Sequence, residues 1–241
     1  MTYLLYCIFR APLPPALEIP DGVGGHRVFT ANYNGLGAAL SKLAEPHSPP
    51  DASKLLEYEE VVQSLYRYLT VIPMRYGRRV GCPYEAVILL RENHGAYSAL
   101  LRELEGLAEM GIQVLLDKPI AEAETDRLAI PPEWFPPPST SSGAACLKAK
   151  ELHYLGAERA TMAQRALVEH LCDSLDGSFV RHKVEFPSSK RSRFLSLYFL
   201  VPRDSVECFR RAARGFPRNE CIKLLLSGPW PPYNFVDGLQ P

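Results

Sequence analysis

The sequence predicts an α+β protein of two domains, and three observations lead to this prediction. The chain has 241 residues, whereas a single domain usually has about 100 to 150. Hydrophobic residues make up 46% of it, which is enough to form a buried core. Helical and strand-like patterns of apolar residues follow one another in both halves. We therefore expect an amino-terminal α/β domain over residues 1–110 and a second domain over residues 111–241.

The amino-terminal domain is expected to begin with strands and to continue with helices. Residues 3–9 contain tyrosine, isoleucine and phenylalanine and predict a buried strand, and a second strand is expected over residues 26–30. Apolar residues at spacings of three and four then predict a helix that ends before Pro73. The apolar stripe of this helix consists of Leu55, Tyr58, Val62, Leu65 and Leu69. Further helices are predicted after Pro83 and over residues 95–109.

The second domain shows the order strand, helix, strand, strand, helix, strand. The strands are predicted over residues 111–116, 179–186, 194–201 and 221–226, and the helices over 146–174 and 204–214. This order is the ferredoxin-like βαββαβ arrangement. Its second strand lies at a sheet edge and its third strand lies inside the sheet. The charged alternation of 179–186 and the almost continuous apolar run of 194–201 fit these two positions.

One long segment of the second domain is expected to lack regular structure. Residues 117–145 are rich in proline and serine and contain the run Ser-Thr-Ser-Ser-Gly near their end. Such a composition buries too little apolar surface to offset the entropy lost on ordering. We predict a flexible loop there.

The overall composition excludes several functional classes. The 27 lysine and arginine residues balance the 27 aspartate and glutamate residues, so no net field attracts the chain to nucleic acid or to an anionic membrane. No uncharged apolar run approaches the roughly 18 to 20 residues of a membrane helix. We expect a soluble, cytoplasmic protein.

The cysteines predict neither a disulfide framework nor a metal site. They stand singly, without a C-x-x-C pair. The six are Cys7, Cys82, Cys146, Cys172, Cys208 and Cys221. His170 and Cys172 are two residues apart on a predicted helix and therefore point away from each other. Reduced, buried thiols are expected.

No motif predicts catalysis or cofactor binding. The glycines before His26 lack the Lys-Ser/Thr ending of a phosphate-binding loop, and no G-x-S-x-G sequence occurs. We predict a protein that is not an enzyme, with no catalytic, cofactor-binding or metal-binding residues.

Two segments are unusual for a generic core. In Thr70–Gly77, Pro73 restricts the backbone, Gly77 permits a special turn, and Arg75 lies between them. Arg75 either contacts a partner or caps backbone carbonyls. The second segment follows the last predicted strand and predicts a stiff aromatic arm that either docks a partner or covers its own domain. Its candidate residues are Gly228, Pro229, Trp230, Pro231, Pro232 and Tyr233.

These two segments resemble those of the gas vesicle protein F/L family, GvpF and GvpL. The resemblance also includes Tyr3–Ile8, Tyr58–Val62 and Leu104–Val114. It implies an α/β domain followed by a ferredoxin-like domain, no catalytic activity, and an accessory or minor structural role in gas vesicle assembly. The implied partners are the small hydrophobic shell protein and other vesicle proteins, contacted during nucleation, and the implied location is the gas vesicle.

The chain departs from the family pattern in several places, among them positions 58 and 76, the proline- and serine-rich loop at 131–142, and the Ala-Ala-Cys sequence that replaces an aromatic residue after its glycine. Tyr58 stands where many members have histidine before the glutamate, and Tyr76 stands where phenylalanine precedes the glycine. The resemblance also leaves open whether the chain belongs to the F or the L branch.

The alternative function is an RNA-binding module, because ferredoxin-like sheets also form RNA-recognition domains. Phe194 and Tyr198 would share one face of the third strand, after the basic residues Lys190, Arg191 and Arg193. The glycine-rich aromatic signature of such domains is absent. No nucleic acid partner is therefore expected.

Overall fold

The computed structural model describes residues 2–44, 51–116, 164–186, 194–216 and 222–236. Helices and two β-sheets make up this part of the chain, so the predicted α+β class is confirmed. The predicted loop over 117–145 and the basic residues at 190–193 lie outside the described residues.

The first sheet is built around the first strand. Its strands are β1 (Thr2–Arg10), β2 (Val28–Tyr33), β3 (Leu36–Leu43), β4 (Val71–Pro73) and β5 (Arg79–Val80). The order is β2-β3-β1-β4, with β5 also paired to β1, and every pair is antiparallel. Leu4 to Phe9 of β1 are all buried. The first two predicted strands are thus confirmed, and β1 forms the centre of the sheet.

The hairpin formed by β2 and β3 was missed by the sequence analysis, which assigned no strand to residues 36–43. Asn34 and Gly35 join the two strands with φ angles of 42° and 80°. Positive φ at both central residues is the requirement of a type I′ hairpin turn, and Asn-Gly is its preferred sequence. The signal for β3 was therefore present in the dipeptide.

Three helices belong to this half of the chain: α1 (Ala52–Tyr66), α2 (Pro83–Glu92) and α3 (His94–Glu103). Asp51 caps α1 by accepting a hydrogen bond from the Lys54 backbone N–H at 2.8 Å. The stripe predicted for α1 is wrong at both ends, because Leu55 is 44% exposed and Leu69 lies beyond the helix.

The end of α3 also differs from the prediction. The helix stops at Glu103, and Leu107 begins a strand instead of continuing the helix to residue 109. Gly106, with φ 72°, takes the chain out of helical conformation between the two elements. The apolar periodicity through Leu107 therefore reflected burial and not a helix.

The second sheet has four strands. They are β6 (Leu107–Leu116), β7 (Arg181–Glu185), β8 (Phe194–Pro202) and β9 (Ile222–Trp230), in the order β7-β8-β6-β9. The described helices of this half are α4, over residues 164–174, and α5 (Val206–Gly215), which follows a 3-10 turn at Arg203–Ser205. The edge position of β7 and the inner position of β8 agree with the sequence prediction.

Two details of this sheet depart from the prediction. Val180 and Phe186 were predicted to belong to the strand over 179–186, but they flank β7 and are 64% and 45% exposed. Strand β9 continues to Trp230, so residues 227–230 belong to a strand and not to a separate arm.

The chain forms two compact units. Unit 1 comprises residues 1–110, 198–206 and 227–241, and unit 2 comprises 111–197 and 207–226. The core of unit 1 includes Leu200, Phe235 and Val236 beside side chains of the first sheet, α2 and α3. The division into domains at residues 110 and 111 stays a prediction. No helix among the described residues is long and apolar enough to cross a membrane.

Candidate functional site

The first predicted motif forms a turn between two strands that pair with β1. Pro73 is buried in β4 opposite Cys7, and the Arg75 side chain is exposed. The backbone N–H of Arg78 donates to the Arg75 carbonyl at 3.2 Å, and Gly77 has a φ of 92°. This is a β-turn with glycine at its third position, as type II geometry requires. Pro73 and Gly77 thus shape the backbone, and a partner-binding role of Arg75 stays a prediction.

Tyr58 of α1 lies beside this motif with its hydroxyl inside the protein. The oxygen is 2.7 Å from the Met74 carbonyl, to which it donates, and 3.0 Å from the Tyr6 carbonyl. Its ring stacks on Tyr6 and meets the edge of Tyr76. Burial raises the pKa of Tyr58 well above its ordinary value, so the hydroxyl remains a donor. Sequence analysis placed Tyr58 in an apolar stripe and in the family resemblance, but did not predict these hydrogen bonds.

The second predicted motif runs from Gly228 to Val236, and we term these residues the C-terminal segment. Strand β9 includes its first three residues, and a 3-10 turn at Tyr233–Phe235 follows. Pro231 and Pro232 are buried, and so are Phe235 and Val236. The segment is therefore part of unit 1 over most of its length.

Gly228 fits its place only because it lacks a side chain. Its φ is 103°, a left-handed value that other residues rarely adopt. A Cβ atom there would lie 2.6 Å from the Glu109 carbonyl oxygen and 3.0 Å from the Met110 Sδ atom. Strand β6 thus approaches the backbone of the segment directly.

Two carboxylates hold the second half of the segment. Glu109, which is 4% exposed, accepts from the Asn234 backbone N–H at 2.8 Å and from the Asn234 Nδ2 amide at 2.6 Å. Glu59 of α1 accepts from the Tyr233 hydroxyl at 2.8 Å. Burial, and then the Glu59 charge, raise the pKa of Tyr233, so this hydroxyl stays protonated and donates.

Glu59 and Glu109 were not among the predicted site residues. Both belong to stretches that carry the family resemblance, Tyr58–Val62 and Leu104–Val114. The structure brings these stretches together with the C-terminal segment. Their separation of 50 residues in the chain explains why spacing alone did not reveal the contact.

Trp230 differs from the rest of the segment because it is 42% exposed. Pro229 before it is exposed as well, whereas the next two prolines are buried. The predicted aromatic arm therefore consists of a buried anchor and one exposed indole. A partner-binding role of these residues stays a prediction.

The surface that an RNA-binding module would need is incomplete among the described residues. Phe194 is 53% exposed at the start of β8. Tyr198, its expected companion, packs against the hydrophobic core of unit 1. The pair of exposed aromatic rings predicted for the alternative function is not formed.

The described cysteines and histidines form no metal centre. No group of three or more potential ligands occurs in the described ranges. The cysteines there are free thiols, and burial raises the pKa of Cys7 far above its ordinary value. The expectation of uniformly buried thiols is wrong for Cys208, which is exposed on α5.

Comparison with known proteins identifies the family. The family described as "Gas vesicle synthesis protein GvpL/GvpF" matches residues 2–237 of the chain. The chain belongs to the GvpL/GvpF family. The match includes both predicted motifs and the two carboxylates that hold the C-terminal segment.

Curated relatives agree with this assignment to the GvpL/GvpF family. The chain is similar to gas vesicle protein F1 of Halobacterium salinarum, with 22% identity over 92% of this chain and 86% of the relative. It is equally similar, at 22% identity and the same coverage, to gas vesicle protein F2 of that organism.

Solved GvpF structures share the fold. The crystal structure of GvpF from Anabaena sp. PCC7120 superposes with a TM-score of 0.77 at 17% identity, covering 98% of this chain and 95% of that one. GvpF from Microcystis aeruginosa gives a TM-score of 0.72 at 15% identity, covering 98% of each chain. At these identities the likeness establishes the α+β fold with two sheets.

Proposed function

We propose that this chain is an accessory or minor structural protein of gas vesicle assembly that binds the small hydrophobic shell protein during nucleation. It also contacts other vesicle proteins, and it acts in the cytoplasm and at the gas vesicle without catalysis. Membership of a family named for gas vesicle synthesis supports this role. Because the shell protein is apolar, a partner needs an apolar contact residue that water can reach.

Trp230 is the observation that carries the proposal. Its indole keeps 42% of its surface exposed although buried residues follow it directly. Tryptophan is enriched among residues that dominate binding energy at protein interfaces. Tyr233, the other ring of the predicted arm, donates to Glu59 and belongs to the anchor. Trp230 is therefore the proposed contact, and Tyr233 supports it.

We further propose that residues 111–227 adopt the ferredoxin-like arrangement. The sheet order β7-β8-β6-β9 supports it, since in chain order this is second, third, first and fourth strand. Helix α4 precedes β7, and α5 lies between β8 and β9, as that arrangement requires.

Co-expression tests the binding role. The tagged chain is purified beside the shell protein and the other vesicle proteins, and the eluate is assayed for each of them and for nucleic acid. We expect the shell protein to be recovered without RNA, and Trp230→Ala to reduce its recovery about tenfold, as the loss of a binding hot spot does.

Tyr84→Ala is the matched control, because Tyr84 on α2 is an aromatic residue with 64% exposure. It should leave recovery unchanged. Equal recovery with wild type and Trp230→Ala would remove Trp230 from the interface. Recovery of RNA without any vesicle protein would refute the assembly role.

A further inference from the structure

We infer that Glu109 is the positioning residue that presents Trp230 to its partner, by holding the C-terminal segment on both sides of the indole. The inference rests on the proposed function for the identity of the partner. The contacts between Glu109 and the C-terminal segment lie within unit 1 and do not depend on the partner.

The first hold lies two residues before Trp230. Gly228 approaches the Glu109 carbonyl so closely that even a methyl group would meet that oxygen at 2.6 Å. The position of the backbone entering Pro229 is thereby set against β6. Only a glycine at positive φ allows this approach.

The second hold lies four residues after Trp230. Both carboxylate oxygens of Glu109 accept hydrogen bonds from Asn234. Oε2 accepts from the backbone N–H at 2.8 Å, and Oε1 accepts from the side-chain amide at 2.6 Å. Hydrogen bonds to a charged acceptor are about twice as strong as neutral ones. Glu109 therefore binds the chain at residue 234, and its backbone carbonyl lies beside residue 228, so it contributes at both ends of the stretch that carries Trp230.

The burial pattern of this stretch favours presentation of the indole. Pro231 and Pro232 are buried, and the Tyr233 hydroxyl is bound by Glu59 at 2.8 Å. Trp230 is the aromatic residue of this stretch that stays exposed, at 42%, next to the exposed Pro229. A ring whose backbone is already ordered loses less entropy on binding. The arrangement thus favours tight docking of an apolar partner.

Fluorescence of Trp230 tests the hold without using the partner. The chain has two tryptophans, so Trp134→Phe leaves Trp230 as the only emitter. In this background Glu109→Gln removes the charge of the acceptor and so weakens both hydrogen bonds, and Asn234→Asp places two carboxylates together. Each single variant should lower Trp230 anisotropy and increase its quenching by acrylamide.

The double variant Glu109→Gln with Asn234→Asp should restore both properties. The new glutamine amide donates to the new aspartate, and the glutamine oxygen still accepts from the backbone N–H of residue 234. Glu105→Gln, at a side chain with 65% exposure, is the control and should change nothing. If Glu109→Gln fails to fold, Asn234→Ala is the milder variant. It is at a half-buried position and removes only the side-chain hydrogen bond to Glu109, because the backbone N–H of residue 234 remains.

Shell-protein binding is then measured on the same proteins. We expect about tenfold weaker binding for each single variant and recovery in the double variant, in proportion to the lost charge-assisted hydrogen bond. Unchanged anisotropy and quenching in folded single variants would overturn the inference. Lower anisotropy with unchanged binding would show that Glu109 orders the indole but would overturn its role in presenting Trp230 to the partner, whereas Trp230→Ala separately tests Trp230 as the contact.

Discussion

Gly228 shows how the backbone of the C-terminal segment depends on a single residue type. Its φ of 103° disfavours any other residue, and so does the 2.6 Å distance that a Cβ atom would have from the Glu109 carbonyl oxygen. At Gly95 in α3, by contrast, an added Cβ atom would meet no other atom within 4 Å. The two glycines therefore make a matched pair for substitution.

We predict that Gly228→Ala lowers the free energy of unfolding by about 2 to 4 kcal/mol, combining a left-handed alanine with a backbone clash. Gly95→Ala should raise it by about 0.5 to 1 kcal/mol, because alanine favours a helix. Urea unfolding followed by circular dichroism measures both. Equal stability of wild type and Gly228→Ala would show that β6 and β9 can separate there without loss.

At the scale of an element, the β2–β3 hairpin depends on its two-residue turn. Strand β3 lies between β2 and β1, and its residues 36–41 are all buried. The Ser41 hydroxyl lies 2.8 Å from that of Tyr6, which in turn accepts from the Val23 backbone N–H. A change of register in this hairpin would therefore disturb the middle of the sheet.

We predict that Gly35→Ala destabilises the protein by about 1 to 2 kcal/mol, because alanine is disfavoured at a φ of 80°. Gly35→Asn should recover most of this loss, since asparagine tolerates the left-handed region. Thermal unfolding of the two variants gives the comparison. An alanine variant as stable as the asparagine variant would contradict the turn assignment.

At the scale of the whole molecule, unit 1 is completed by residues from the far end of the chain. Leu200, Phe235 and Val236 lie in its hydrophobic core beside Ile8, Leu40 and other buried residues of the amino-terminal part. The predicted domain over residues 1–110 lacks all three. A compact unit is thus formed from sequence-distant parts.

We predict that truncation after Trp230 lowers the free energy of unfolding by about 3 to 6 kcal/mol, because two buried apolar side chains and the bonds of Tyr233 and Asn234 are lost. Truncation after Val236 retains these contacts and serves as the control. Urea unfolding again supplies the measurement. If both truncated proteins are as stable as the full chain, residues 231–236 contribute nothing to the stability of unit 1.

The local pattern of the chain was sufficient for most elements and for the family. Strands such as β1 and β8 are predominantly apolar, and α2 begins at a proline, so nearby residues alone specify them. The motifs around Pro73 and Trp230 pointed to the GvpL/GvpF family by resemblance, and within them proline restricts the backbone whereas glycine permits turns that other residues disfavour.

Tertiary structure decided the rest. The helix predicted over residues 95–109 gave way to β6 after Gly106, because burial in a sheet outweighs helical periodicity. The pairing of Glu109 with Asn234 joins positions 125 residues apart. Sequence by itself determined most of the strands and the two motifs rich in proline and glycine, because these signals lie in neighbouring residues. Only folding brought two carboxylates against the C-terminal segment, since a hydrogen bond depends on distance in space and leaves no periodic trace along the chain.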